Sequence, residues 1–198
     1  MRKLIVSEWI TLDGVVQAPI SPAEDADGGF EHAGWHLPHA GDPAAQRWTL
    51  DAITGAGAYL FGRRTYENFA AFWPHAPESE RAVSEPLNTR PKYVVSTTLG
   101  EPLAWKNATL LSGDAARAVE ALKAQSGGDL LLFGSPRLAQ LLLARDLVDE
   151  IRLTIDPVIV GSGKRLFADD GPMRTLRLVA QQATSTGATL AHFARAGT

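Results

Sequence analysis

The sequence predicts an α/β protein built on one mixed sheet, parallel over most of its width and closed at one edge by an antiparallel hairpin. Three observations predict it. Short apolar runs alternate with stretches of helical period, the pattern of strand–helix–strand units. The run Leu130-Leu131-Leu132-Phe133 is apolar on both faces, as a central strand covered by helices should be. The C-terminal segment reads instead as two strands joined near Thr186-Gly187.

Taken in order, Lys3 to Ile10 reads as a strand that ends in the turn signal Asp13-Gly14. Residues 17 to 43 are rich in glycine and proline and hold His32, His36, His39 and Trp35. They predict a long loop, and such loops in compact domains are functional or disordered. Asp42-Pro43 opens a helix to about Thr54. Ala58-Tyr59-Leu60-Phe61 is a short strand, and Gly62-Arg63-Arg64-Thr65 leads from it into a helix carrying Tyr66, Phe69 and Phe72, stopped by Trp73-Pro74. Lys92 to Ser96 and Thr109 to Leu111 are strands. Between Asp114 and Gln125, Ala115, Ala118, Val119 and Leu122 follow helical spacing, with Gly127-Gly128 past the end. After Phe133, Ser135-Pro136 has the look of a helix start, with serine at the N-cap and proline at the first helical position. Ile151, Leu153 and Ile155 alternate with Arg152, Thr154 and Asp156, which predicts a half-exposed strand. No linker or repeat interrupts the pattern, so residues 1–198 read as one domain.

Composition removes several function classes. Nineteen basic against 22 acidic residues leave a net charge of −3, which argues against sequence-independent binding of nucleic acid. No cysteine is present, which excludes disulfides, thiolate metal sites and cysteine nucleophiles. No apolar stretch is long enough to span a membrane, and Glu8 cuts the first apolar run too short for a signal peptide. A soluble, cytoplasmic protein with a small-molecule ligand is the expectation.

Several motifs fail on spacing. Gly161-Ser162-Gly163-Lys164 has Val158 where a phosphate-binding P-loop needs its first glycine, and Arg165 where it needs Ser or Thr. Gly55, Gly57 and Gly62 are not G-x-G-x-x-G. Gly34 and Pro38 break any helix that would align the three loop histidines, so no metal site is expected. One arrangement holds. Three strands end in groups suited to anions: Gly62-Arg63-Arg64-Thr65, the hydroxyls of Ser96, Thr97 and Thr98, and Gly134-Ser135-Pro136-Arg137. Two of these sit at helix N-termini, whose free N–H groups and positive dipole end attract phosphate. If the three ends are neighbours, they would hold a ligand with several phosphates, such as a dinucleotide.

The segments GRRTY, KYVVSTT, LLFGSPRL and LVDEIRLTIDPVIVGSGKRLF, with TLDG at Thr11 to Gly14, resemble the dihydrofolate-reductase-like superfamily. Its most similar branch is the reductase domain of the bifunctional riboflavin-biosynthesis deaminase/reductase. The resemblance implies a mixed sheet of about eight strands with flanking helices, and NADPH bound across the strand ends. It implies a reductase akin to the one acting on 5-amino-6-(5-phosphoribosylamino)uracil, the alternative being a nucleotide-binding or ligand-sensing protein without turnover. By position, Gly62, Arg63, Arg64 and Thr65 match the family's segment at the adenosine phosphate and pyrophosphate. Ser96 and Thr97 match its hydroxyls at the 2′-phosphate. Gly134, Ser135, Pro136, Arg137 and Leu138 match its glycine-rich pyrophosphate loop. Asp13 and Gly14 match positions beside the nicotinamide and substrate, with Trp9 and Trp35 near them. Asp13 is the first candidate for proton donor and Glu8 the second. The sequence departs from folate reductases after Trp35-His36-Leu37-Pro38, where His39-Ala40 replace the expected acid.

Three further expectations follow. NADPH should bind better than NADH, because arginine and hydroxyl groups can meet the extra phosphate. A homodimer should cover the edge of the terminal hairpin. The Gly134–Ser135 peptide is expected to be cis, as is common at this position in the superfamily, with Ser135 extended before Pro136 and capping the following helix.

Overall fold

A computed structural model describes residues 1–196. Eight strands form one sheet: β1 (Leu4–Thr11), β2 (Ala58–Gly62), β3 (Lys92–Val95), β4 (Ala108–Leu111), β5 (Leu130–Phe133), β6 (Glu150–Asp156), β7 (Leu176–Ala183) and β8 (Thr189–Arg195). Their order is β4-β3-β2-β5-β1-β6-β8-β7. The first six are parallel neighbours, and β8 and β7 complete the edge antiparallel. The dihydrofolate-reductase-like fold expected from the sequence is therefore present. Of the predicted single domain, only residues 197–198 lie outside the described residues.

Five helices flank the sheet: α1 (Pro43–Gly55), α2 (Arg63–Phe72), α3 (Arg81–Thr89), α4 (Ala115–Ala124) and α5 (Pro136–Ala144). Because successive residues of a strand face opposite ways, β5 sends Leu130 and Leu132 into one core and Leu131 into the other. The first core packs Leu4, Val6, Leu60, Val119, Leu122 and Leu142, under α4 and α5. The second packs Ile53, Tyr59, Phe61, Leu87, Val94 and Trp105, under α1 and α3.

Helix α3 is not visible in the sequence, because Pro86 lies inside it and its single buried residue is Leu87. Its C-terminal carbonyls are met by Lys92, a fully buried lysine on β3 that donates to Leu87 at 2.8 Å and Arg90 at 2.9 Å. Burial lowers the Lys92 pKa to about 8.

Two expectations are corrected. Strand β6 is not half-exposed along its length: Thr154 is 2% and Asp156 0% accessible, so its polar face is covered at the C-terminal end, while Glu150 and Arg152 remain partly accessible. The Gly134–Ser135 peptide is not cis; among the described residues the cis bond is Glu101–Pro102. Nor is Ser135 extended. Gly134 (φ 54°) and Ser135 (φ 59°, ψ 51°) are both left-handed, and the Ser135 side chain does not cap α5. The left-handed pair turns the chain into α5 without the cis bond, and glycine at the first position bears half of that turn at no steric cost.

Candidate functional site

The sheet order brings the three predicted anion groups together. Strands β3, β2 and β5 are parallel neighbours, so Ser96-Thr97-Thr98, Gly62-Arg63-Arg64-Thr65 and Gly134-Ser135-Pro136-Arg137 lie side by side at their carboxyl ends. Ser135 joins two of the groups. Its Oγ accepts the Gly62 N–H at 2.8 Å and donates to Thr65 Oγ1 at 2.9 Å. The side chains of Thr65 and Ser135 pack directly on the two glycines, so that a Cβ on Gly134 would stand 2.8 Å from Thr65 Oγ1, and one on Gly62 3.1 Å from Ser135 Oγ. A side chain at either glycine would crowd these two hydroxyls.

Capping separates these helices from two others. Asp42 caps α1 and Asp114 caps α4, each accepting N–H groups of the first turn. Neither α2 nor α5 has a side-chain cap. Uncapped N-terminal N–H groups need another acceptor, and an anion supplies one.

The other predicted cofactor residues fall into distinct roles. Ser96 is buried, and its Oγ accepts the N–H groups of Thr98 and Leu99, so it shapes the loop that exposes Thr97. Arg63 is half exposed and paired with Glu67 one turn on. Arg137 is exposed beside Pro136. Leu138 is turned into the core and its N–H bonds to the Ser135 carbonyl, so it offers no group to a ligand. Arg64 is engaged by the long loop. It pairs with Asp25 and, at 2.8 Å, with Asp27, while Lys164 reaches the same two carboxylates at 2.6 and 2.7 Å. Asn68 of α2 donates to the Glu24 carbonyl. The loop from β1 is thus latched to α2 through Arg64 and to the turn after β6 through Lys164, both meeting Asp25 and Asp27. A cavity of about 610 Å³ beside Gly161, Arg165 and Asp169 touches none of the predicted site residues.

On the substrate side, Asp13 accepts from Thr11 Oγ1 at 2.6 Å, Gly161 N–H at 2.8 Å and Val160 N–H at 3.3 Å. Desolvation alone would raise its pKa, but these bonds hold it below the usual carboxylate range. That environment makes Asp13 an ionised anchor for the 157–164 turn. Gly14 (φ 85°) closes the turn after β1, its N–H donating to the Thr11 carbonyl at 3.0 Å. Glu8 is the opposite case. It is 8% accessible, and burial pushes its carboxyl well above the ordinary range although the Gly134 N–H pulls the other way. Trp35 is buried and donates to the Gln17 carbonyl at 2.8 Å.

Sequence reasoning missed a buried pair. His36 Nδ1 lies 2.6 Å from Asp156 Oδ2, both nearly inaccessible, and the imidazole stacks on Trp9 with ring centres 4.3 Å apart. The signal was the acid at the end of β6, which the alternating pattern had placed on an exposed face. His39 instead meets the Thr186 carbonyl at 3.0 Å and His32 is exposed, so the three loop histidines do not converge. Among the described residues, no group of three or more His, Cys, Asp or Glu could hold a metal, and no helix is long and apolar enough to cross a membrane.

Comparison with known proteins agrees with this architecture. A family model described as the RibD C-terminal domain matches residues 2–190. The uncharacterized protein YyaP of Bacillus subtilis (strain 168) is 27% identical over 192 residues, covering 94% of this chain and 91% of that protein. Three solved structures share the fold. A putative riboflavin biosynthesis protein from Shewanella sp. PV-4 has a TM-score of 0.68 at 16% identity, covering 98% of this chain and 99% of that one. A pyrimidine reductase-like protein from Corynebacterium diphtheriae gives 0.68 at 13%, covering 100% and 93%. Dihydrofolate reductase from Enterococcus faecalis, complexed with NADP(H) and RAB-propyl, gives 0.63 at 12%, covering 98% and 97%.

Proposed function

The chain belongs to the RibD C-terminal domain family, and from that membership we propose that it is an NADPH-dependent reductase of a small planar substrate, akin to the pyrimidine reductases of riboflavin biosynthesis. The observation that carries the reading is the pair of uncapped helix N-termini, α2 and α5, clamped side by side through Ser135. The cradle fits a dinucleotide: its two glycines admit no Cβ without crowding, and its donors are backbone N–H groups. In this reading the first-turn N–H groups of α2, with those of Ser135 and Arg137, take the pyrophosphate. Arg63, Arg64 and Thr97 take the 2′-phosphate, Arg64 after release from Asp25 and Asp27. NADPH supplies the hydride when bound.

The protein's own groups would then orient the substrate and move a proton. His36 is the better candidate for the proton step, because Asp156 fixes its Nδ1 and Trp9 its ring plane, leaving Nε2 as the working atom. Asp13 anchors the turn that follows β6, the strand that carries Asp156. Each charge-assisted bond to the 2′-phosphate is worth about 1.5–3 kcal/mol, so NADPH should bind at least tenfold more tightly than NADH. Titration with both cofactors tests this, and equal dissociation constants refute it. Oxidation of bound NADPH by candidate heteroaromatic substrates then tests turnover. The ionised, anchored state of Asp13 favours one second reading, a nucleotide-binding or ligand-sensing protein. Binding without oxidation of NADPH, and without effect of His36→Gln, supports that alternative.

A further inference from the structure

Glu8 shares its face of β1 with Leu4, Val6 and Ile10, all three part of the apolar core under α4 and α5. Leu153 stands opposite it on β6 and belongs to the same core. An ionised carboxyl in such a place needs a cation or several N–H groups to hold it. Glu8 has neither. Its Oε1 is one of four buried side-chain polar atoms among the described residues that meet no partner.

The charged groups of the surrounding elements are turned elsewhere. Arg152 and Asp156 occupy the opposite face of β6, and His36 is paired with Asp156 there. In the turns beyond β1 and β6, Asp13 is held by Thr11 and two N–H groups, and Lys164 by Asp25 and Asp27. Arg64 of α2 meets the same two carboxylates, and Arg137 of α5 is exposed. What acts on the Glu8 carboxyl is its burial and a single backbone donor, the Gly134 N–H.

That donor places the carboxyl under the anion cradle. Ser7 pairs with Phe133, so the next residues on the two strands, Glu8 and Gly134, stand side by side where β5 ends. Gly134 gives its N–H to Glu8. The next N–H along the chain, that of Ser135, is one the cofactor reading assigns to the pyrophosphate. Two hydrogen bonds and one residue step then separate the carboxyl from the anion, at most about 10 Å. At that distance and an effective dielectric of about 20, like charges repel enough to change an affinity at least tenfold. An anion above the turn and an ionised Glu8 beneath it therefore oppose one another, whereas a neutral Glu8 does not.

We propose that Glu8 makes the cradle a proton-linked site: it carries a proton while a diphosphate is bound, and its ionisation weakens the ligand. Only a proton moves, so no ligand atom enters the core, and at 8% accessibility the side chain is within reach of water. Burial already favours the neutral form in the free protein, and an anion on the cradle shifts the balance further in the same direction. This rests on the reductase reading for the diphosphate and adds to it the control of affinity by pH.

Calorimetric titration of the full chain with NADPH from about pH 5 to about pH 10, beside Glu8→Gln, is the test. Glutamine keeps an acceptor for the Gly134 N–H and cannot ionise. The two proteins should bind alike at the acid end, and wild type at least about tenfold more weakly at the alkaline end. Groups common to both titrations, the 2′-phosphate and Lys92 included, cancel in the comparison. Buffers of different ionisation enthalpy count the protons, and at alkaline pH wild type should take up more than Glu8→Gln. Infrared difference spectra of wild type alone keep the proposal testable should Glu8→Gln fail to fold. Adding NADPH at alkaline pH should raise a protonated-carboxyl band at the expense of carboxylate. Parallel pH profiles with equal proton counts, or no such band, overturn the proposal and leave the reductase reading standing. Absence of NADPH binding at every pH overturns both.

Discussion

Ser135 ties two strand ends together through one hydroxyl, and its replacement makes a quantitative test of the cradle. Ser135→Ala removes the acceptor for Gly62 N–H and the donor to Thr65 Oγ1. At a net ~0.5–1.5 kcal/mol for each bond, the loss is about 1–3 kcal/mol. Ser135→Gly loses the same two bonds but relieves a left-handed residue at φ 59°. That relief is worth about 1–2 kcal/mol, less about 0.5–1 kcal/mol for the greater freedom of glycine in the unfolded chain. The glycine variant should therefore be the more stable of the two by roughly 0.5–1 kcal/mol, although it is the smaller residue. Urea denaturation of the three proteins measures the order, wild type above Ser135→Gly above Ser135→Ala. In a domain this size each kcal/mol moves the melting temperature by about 2–4 °C, so differential scanning fluorimetry resolves the first step. Both variants should bind NADPH about tenfold more weakly, because the N-termini of α2 and α5 are no longer held in one geometry. A Ser135→Ala protein as stable as wild type, or a Ser135→Gly protein below it, refutes the clamp.

The remaining predictions concern charge and assembly. Asp25→Asn with Asp27→Asn releases Arg64 and Lys164 from the loop, and NADPH affinity should rise several-fold; unchanged or weaker binding in titration refutes the latch. Glu8 has a folded pKa raised by burial, so the stability it contributes is whole below the unfolded carboxyl pKa and is lost as pH rises toward the folded value. Glu8→Gln should therefore match wild type at about pH 4 in urea denaturation and exceed it at about pH 9, and parallel curves would count against a buried, protonated Glu8. The edge strand β7 is exposed along almost its whole length, with Leu178 45% and Val179 44% accessible. We predict that a second copy covers it, and a monomeric mass by light scattering at micromolar concentration removes that prediction.

The order of strands and helices was legible in the sequence because each element carries its own period. The apolar run of β5, the helical spacing of α4 and its Asp114 cap are local properties, and the structure has them within a residue or two of the predicted limits. The anion-suited groups after β2, β3 and β5 were legible for the same reason, since a glycine and a helix start are read from adjacent residues. What brings them together is the sheet order β3-β2-β5, which depends on contacts between residues far apart in the chain. Two local readings failed where tertiary structure decided. Ser135 looked like a cap for α5, but the Gly62 N–H and Thr65 hydroxyl on the neighbouring element offered its oxygen better partners. The alternation of β6 correctly separated Arg152, Thr154 and Asp156 from the apolar residues, yet a period of two says only that a strand has two faces. What covers each face is set by the path of α1 and of the loop before it. That loop has no period to read, so the partners it brings, His36 to Asp156 and Asp25 and Asp27 to Arg64, exist only once the chain is folded.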